Sequence, residues 1–588
     1  MRRPRLRLGR AALLSVIALS FGCDAEPPTG SSLVLTLEPE TLVLPRGETR
    51  GVTVSVLRLG SGEGSIQLFV EDPPADIGST PVSLAAGAAH AQLELTAAPD
   101  AALADHLVVV RAEGDGVAGT GELDLKVVHP PPRLDAVEVE GRSATEVRQG
   151  MGAIRLALSG RNLAQIEVVT VGDLEVAGFE ALGDTLLSVE ADVPHGAAIG
   201  PRTLAAEGDG GRAELPDALA VTAVTVSPSG DDDGGGGTDA EPFRSLTRAL
   251  VTSGGGDTIV LRPGRYDSGS GEEGAVLSGR GVHASATANV PADVRIVGAG
   301  AGETVLAGSH DGEDVVALVF AGSGVLTGVT LEGFGRAVHA AAGEVHLRDV
   351  VVRDNLQHGL VAAGDVELRL SGSTLERNGA SAVHVRDSAT VVMVDVALSG
   401  TGQGDVLVQA RGTSHVRLEG VRMHDSAICA EAIGGVRLDL VDTQVRGCAT
   451  GVVSARRSLA ETSSDEAVLE LLGSTIEDVG VGVTFSGADL RVRGSTVEAE
   501  STGFFIAGHP DSVDLAAPAQ PSDNRFRGGD LVVHDARPPR AEPGGVAVIV
   551  RAADLADAPP ESGVFVGPHD AAPSFMIEGA NNLVQLLD

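Results

Sequence analysis

The stretch "HLRDVVVRDNLQHG", His346 to Gly359, and the shorter "HVRD", His384 to Asp387, hold the densest group of chemically capable residues in this chain of 588 residues. Asp354, His358 and Arg386 would supply an acid, a base and an anion-binding group if neighbouring strands brought them together. Asp and Asn directly after a strand are also ordinary turn formers, and Arg beside Asp usually makes a surface ion pair. A second candidate is "GDDDGGGGTD", whose Asp231, Asp232 and Asp233 could hold calcium, although the run lacks the fixed Gly and closing Glu of an EF-hand loop and reads equally as a linker. Cys429 and Cys448 lack the paired spacing of a zinc site; in an exported chain they are a candidate disulfide. No G-x-S-x-G, H-E-x-x-H or P-loop pattern occurs. Calcium is therefore the one cofactor the residues leave open.

Composition narrows the partners. The formal charge is −38, with 81 acidic against 43 basic residues, and such a surface repels a phosphate backbone, which excludes nucleic acid. Aromatic residues make up 2% of the chain, with no Trp and a single Tyr266, so stacking platforms for sugars are scarce and the core must be aliphatic. The one lysine is Lys126.

The chain opens "MRRPRLRLGRAALLSVIALSFGC", a basic stretch and an apolar run too short to span a bilayer, followed by small residues before Cys23. This resembles a bacterial lipoprotein signal, which implies removal of residues 1–22 and lipidation of Cys23, with "DAEPPTGSS" completing a polar tether over 23–31. The expected product is a lipid-anchored protein, periplasmic or at the cell surface, with no transmembrane helix in the mature chain; without lipidation it would be secreted.

The elements that must position the candidate residues come next. Residues 32–128 alternate apolar and polar positions between turn signals, the pattern of a β-sandwich, and resemble bacterial immunoglobulin-like repeats. "HPPP" then breaks the chain. Residues 133–225 form a second strand-rich block in which Gly160, Asn162 and Leu163 resemble the turn of an IPT/TIG-type domain, which implies a spacer or binding module. An acidic Gly-rich linker is expected over 226–241, and a short helix from Pro242 with Phe243, Leu246, Thr247 and Leu250 on one face. The segment "PFRSLTRAL…GDTIVLRPGRY" resembles the N-terminal cap of the pectin-lyase-like right-handed parallel β-helix family. That resemblance implies a β-helix over 242–588 and, in the enzymes of the family, cleavage or epimerisation of acidic polysaccharides with carboxylate-held calcium and an Arg or Lys base. Lys126 lies outside this region, so a lysine base is excluded.

Downstream, strands beginning near Val345, Val366, Val392, Val416, Val436, Leu469 and Leu490 recur mostly every 20 to 26 residues, which predicts one coil per repeat. Aligning the coils places Val352, Leu375, Leu398, Met423, Val445, Ile476 and Val497 in one inward column. The phrase "GST" at Gly372, Gly473 and Gly494 then turns its Ser inward. His346, Glu367, Arg417, Arg437, Glu470 and Arg491 are expected to face outward together on the first strand of each coil. On the strand after the turn, the outward residues are expected to be His339, Val361, His384, Leu407, Val453, Thr484 and Phe505. Val361, Leu407, Val453 and Phe505 make that stripe apolar enough to serve as a binding surface or to be covered by the Pro-rich C-terminal segment. Inserts near Ser268–Asp293, Arg456–Ala467 and Pro510–Asp523 flank the coils.

The fold expected is all-β: two immunoglobulin-like sandwiches followed by a right-handed parallel β-helix with a short capping helix. The function expected is non-catalytic, adhesion or envelope and matrix binding, with polysaccharide or another surface protein as partner. The alternative is a polysaccharide lyase, epimerase or glycoside hydrolase on the same scaffold.

Overall fold

A computed structural model describes residues 32–60, 64–114, 116–140, 145–267, 289–308, 315–401, 405–455, 467–508, 512–514, 525–527, 530–535, 547–551, 575–578 and 583–587. The signal, Cys23, the tether and most of the three inserts lie outside the described residues. The chain divides into two compact units, the first containing residues 1–133 and the second most of the remainder.

Alternation builds the first unit. Along Thr49–Leu59 and His90–Ala97 the buried residues fall on alternate positions, Val52, Val54 and Val56 in one and Leu93, Leu95 and Ala97 in the other, and they pack with Leu68, Val110, Leu123 and Leu125 of the opposing sheet. The sheets have four and five strands and pack as a sandwich. The second unit opens with two four-stranded sheets over Arg133–Thr222. There Asn162 takes a left-handed turn at φ 56°, and Leu163 behind it is fully buried.

The second unit continues as a parallel β-solenoid. Its ladder begins at Val224–Val226, paired in parallel with Thr258–Leu261, upstream of the boundary the sequence suggested. Residues 226–241 therefore leave and rejoin the solenoid's first rung, with Phe243 bridging Val226. The helix starts at Leu246, later than Pro242, because Ser245 caps it by accepting the Arg248 N–H at 3.1 Å.

Each coil contributes three strands, and three sheets result. In sheet A Val345, Leu368, Val391, Val416, Leu438, Leu469 and Leu490 stack in register. In sheet B the predicted inward column from Val352 to Val497 stacks in register, and every member is buried. Sheet C follows the second corner. One sheet A column differs from expectation: it runs His346, Arg369, Val392, Arg417, Asp439, Glu470 and Arg491, and Glu367 and Arg437 sit two residues away in the adjacent outward column. A shift of two keeps a side chain on its face while moving it along the strand, so an alternation count alone does not detect it.

The corner between sheets A and B explains the "GST" phrase. Gly372, Gly473 and Gly494 adopt φ of 57°, 60° and 57°. In other coils Asp349, Asp395 and Asp442 hold the same left-handed corner. A Cβ on Gly372 would lie 2.6 Å from Asp349 Oδ1, so a glycine accommodates the neighbouring Asp side chain. The Ser that follows is buried and joins two coils. Ser373 Oγ accepts the Val350 N–H at 3.2 Å and donates to the Ser371 carbonyl at 2.8 Å. Ser474 and Ser495 repeat the arrangement. At the next corner Asn378 Oδ1 accepts from Asn355 Nδ2 at 2.9 Å in the buried interior.

The second sandwich is hydrogen-bonded to the start of the solenoid within the same unit. Asp257, with no exposed surface, accepts from Gly196 N at 2.9 Å and lies 2.6 Å from His195 Nδ1. Gln149 accepts the Thr258 N–H at 2.8 Å and donates to the Ala197 carbonyl at 2.7 Å.

Val445→Asp should destabilise the chain by roughly several kcal/mol, because it places an unpaired charge in the sheet B column, whereas Arg446→Asp alters only the outer row. Thermal melts of both variants check this; equal shifts would contradict the register.

Candidate functional site

The candidate site is the outward face of sheet C. Its central column runs Val319, His339, Val361, His384, Gln409, Glu431, Val453, Thr484 and Phe505 in register. Leu407 is not in it. Val408 pairs with Val383 and Gln409 with His384, so Leu407 falls inside the core at 1% exposure. The adjacent apolar pair Leu407 and Val408 leaves the alternation ambiguous, and the longer coil before it displaces any count from the preceding strand. The column is therefore polar at its centre rather than an apolar stripe. Val361 is 5% exposed between two histidines, and Phe505 is 38% exposed at the far end.

The expected cover of this face by the C-terminal segment also needs revision. Ala547–Arg551 pairs in parallel with Ser512–Asp514 and Leu583–Leu587, and so extends the sheet A ladder. The rest of that segment lies outside the described residues.

The polar centre is a connected group. His358 Nδ1 lies 2.7 Å from Ser381 Oγ, and the His358 and His384 rings stack at 4.7 Å between centroids. His384 Nδ1 meets Gln409 Oε1 at 2.8 Å, and Gln409 Nε2 donates to Glu431 Oε2 at 2.9 Å. Arg336 donates to Gln357 Oε1, and Arg411 lies 3.6 Å from Glu431.

Burial and positive charge hold the three imidazoles neutral. Desolvation lowers His358 to about 4, assisted by His384, Arg336 and Arg386. His339 is lowered by burial and then by Arg386 and Arg336. His384 is lowered by burial and by Arg386, Arg411 and Arg336, against the opposing hydrogen bond it makes to Gln409 Oε1. Arg336 and Arg386 act on all three rings, Arg411 also on His384, and His384 also on His358.

Of the three residues proposed as a catalytic group, His358 and Arg386 do share this face. Asp354 does not join them: it holds a left-handed corner at φ 52°, and its carboxylate accepts from Arg377 Nε at 2.8 Å and Nη2 at 3.0 Å. Its strand-terminal position makes it a turn former, and the next coil supplies its counter-ion. The acidic run behaves similarly. Asp232 Oδ1 accepts the N–H groups of Arg244 and Ser245, and Asp231 Oδ1 that of Asp233, so two of the three carboxylates organise the loop ahead of the helix. Cys429 and Cys448 are joined by a disulfide with Cα atoms 6.0 Å apart.

Sheet A contains a pair that the sequence reading passed over. His415 Nε2 lies 2.9 Å from Asp439 Oδ2, which also accepts from Arg437 Nε at 3.0 Å. Burial opposes the charge on Asp439, but the hydrogen bonds from His415 and Arg437 outweigh it and keep the carboxyl below its ordinary range. Asp439 Oδ1 is buried without a hydrogen-bond partner. The signal was the acidic residue within the alternating strand "VRLDL", where a solvated ladder and a buried pair read alike.

Two sandwiches and a solenoid with a histidine-lined face define the class as an all-β protein carrying a parallel β-solenoid. Residues 228–335 match a family described as a protein of unknown function, DUF1565. No curated protein matches the chain in sequence. Among solved structures the chain is similar to the catalytic unit of a thermostable GH87 α-1,3-glucanase from Streptomyces thermodiastaticus strain HF3-3, at 11% identity over 68% of this chain and 94% of that one, with a TM-score of 0.27. It is also similar to a group of titin domains, at 14% identity over 33% of this chain and 68% of that one, TM-score 0.18. A chimeric titin Z1Z2 tandem matches at 14% identity over 32% of this chain and 100% of that one, TM-score 0.13.

The depressed histidines give a signed pH effect. Between the ordinary value of 6.5 and the folded value of about 4 for His358, the unfolded chain binds the proton more tightly, so stability falls as pH drops through that window. His358→Gln should flatten this part of a melting-temperature profile relative to the parent chain. Parallel profiles would assign the slope to other groups.

Proposed function

We propose that the chain is an exported surface protein, held at a membrane through lipid on Cys23, whose solenoid binds a partner in the envelope or matrix without transforming it. In this reading the solenoid is a right-handed, pectin-lyase-like β-helix, and the sandwiches, immunoglobulin-like and IPT/TIG-like, are the stalk that presents it. A polysaccharide or another surface protein is the partner. The observation that carries the reading is the make-up of the sheet C face: neutral imidazoles, an amide and arginines offer directional hydrogen bonds, while Asp354, the acid that catalysis would require there, is occupied by Arg377. The hydrogen-bonded join between second sandwich and solenoid supports presentation by a stiff support.

A second reading has one observation in its favour. His415 is oriented by a buried carboxylate on sheet A, the arrangement of a general base and its positioning partner, as a polysaccharide lyase, epimerase or hydrolase would use.

Binding and turnover of the mature chain on a panel of acidic and neutral polysaccharides, with and without calcium, separate the two. Binding without product, weakened at least about tenfold by Phe505→Glu at unchanged melting temperature, is the expected result for a ligand face on sheet C. Turnover abolished by Asp439→Asn would replace it with the enzymatic reading, and a Phe505→Glu variant that only melts earlier would make Phe505 a packing residue.

A further inference from the structure

In the second sandwich Leu186–Val193 pairs antiparallel with Gly152–Arg161 on one side and with Glu175–Ala181 on the other. Glu175–Ala181 is the last strand of its sheet, and no strand among the described residues pairs with its outer side. A bulge lies between Val176 and Gly178, but the register is unbroken from Gly178 to Ala181, so this stretch keeps the backbone spacing that a further strand needs.

The two sides of that edge differ. On the outer face Gly178 and Glu180 stand opposite Glu190 and Ser188, which in turn stand opposite Arg155 and Ala157. Small residues at Gly178, Ser188 and Ala157 make this face a groove of about 1070 Å³. Its lining includes four carboxylates, Glu138, Glu140, Glu180 and Glu190, and Arg155 is the one guanidinium among the described lining residues. Arg155 lies 2.7 Å from Glu190 and 3.5 Å from Glu140, which leaves Glu138 and Glu180 without an ion pair among the described residues. The Leu182 N–H donates to the Leu186 carbonyl at 3.0 Å, so these two leucines close the groove at the hairpin end. On the opposite face Phe179 stands across from the buried Val189, yet it is exposed because an edge strand has no neighbour to cover it. Phe179, Leu182 and Leu186 are thus three exposed large apolar side chains grouped at one end of one strand pair, where scattered single ones would need no explanation.

We propose that this edge takes up, as an added strand, an extended segment of a partner protein in which basic residues alternate with apolar ones. Successive side chains of a strand point to opposite faces, so the basic residues lie over the acidic groove and the apolar ones beside Phe179. Backbone hydrogen bonds along Gly178–Ala181 supply affinity for any strand, and the two unlike faces supply the choice among strands. Charge decides against a second copy of this chain: an edge bearing Glu175 and Glu180, on a chain of net charge −38, repels its like and draws a basic partner. The second sandwich is then a place of contact in its own right as well as a support, and this holds whether or not sheet C binds a ligand.

The test titrates the full mature chain with a short labelled peptide of alternating lysine and valine, the matching glutamate–valine peptide, the lysine–valine peptide N-methylated on alternate amides, and spermine. The expected result is saturable binding of the lysine–valine peptide and none of its glutamate counterpart. N-methylation keeps the charges and side chains but removes strand donors, and should weaken binding about tenfold or more. Glu180→Lys should weaken it about tenfold and Phe179→Ser roughly threefold, whereas Glu477→Lys, the same change of charge on sheet B, should leave it within about twofold. Glu180 is exposed and has no ion pair among the described residues, so its substitution decides the matter even if Phe179→Ser melts early. Equal binding of the N-methylated peptide, or full displacement by spermine at equal charge, reduces the contact to diffuse attraction and overturns strand addition. Binding that Glu180→Lys does not alter, or no binding of the lysine–valine peptide, overturns the site.

Discussion

The parallel register between successive coils is the constraint on which the rest depends. Each coil repeats the same inward positions, so one aliphatic column runs through sheet B and another through sheet A, and no single coil could bury its apolar face alone. The corners hold that register. A left-handed residue, Gly or Asp in successive coils, turns the chain, and the inward Ser or Asn after it ties one coil's backbone to the next. These buried side chains satisfy polar groups that the corners would otherwise strand in the core.

The same register decides the outer chemistry. Residues separated by a whole coil in sequence stand about 4.8 Å apart on the face. Sheet B's outer row is therefore a set of ion pairs, such as Arg353 with Glu332 and Arg446 with Glu477, which hold one another. Sheet C differs because its column carries His339 and His384, with Arg336, Arg386 and Arg411 close by, and reaches a carboxylate, Glu431, two rungs beyond His384. Burial, reinforced by the neighbouring arginines, keeps the rings neutral. Sheet B's outer row is thus made of ion pairs, whereas the centre of sheet C also presents imidazoles and an amide, groups that recognise a ligand by directional hydrogen bonds. The fold alone would host either use.

Much was legible in the chain itself. Alternation, turn residues and a recurring interval near 22 residues were enough to determine an all-β protein with N-terminal sandwiches, a solenoid, its sheet B core column and the structural purpose of "GST", because these follow from period and side-chain volume within one coil. What lies opposite what across coils was decided only by the tertiary structure. Coil lengths vary, and a slip of two residues preserves every alternation, so Leu407 and Gln409, or Glu367 and Arg369, exchange places without any local sign. Asp354 likewise looked like an acid beside His358 until the next coil placed Arg377 against it. His415 and Asp439 lie 24 residues apart, and only stacking made them a pair. Composition and period are local properties, readable along a strand, whereas a site on a solenoid is assembled across strands, and the register between them depends on corner geometry and insert lengths summed over every preceding turn.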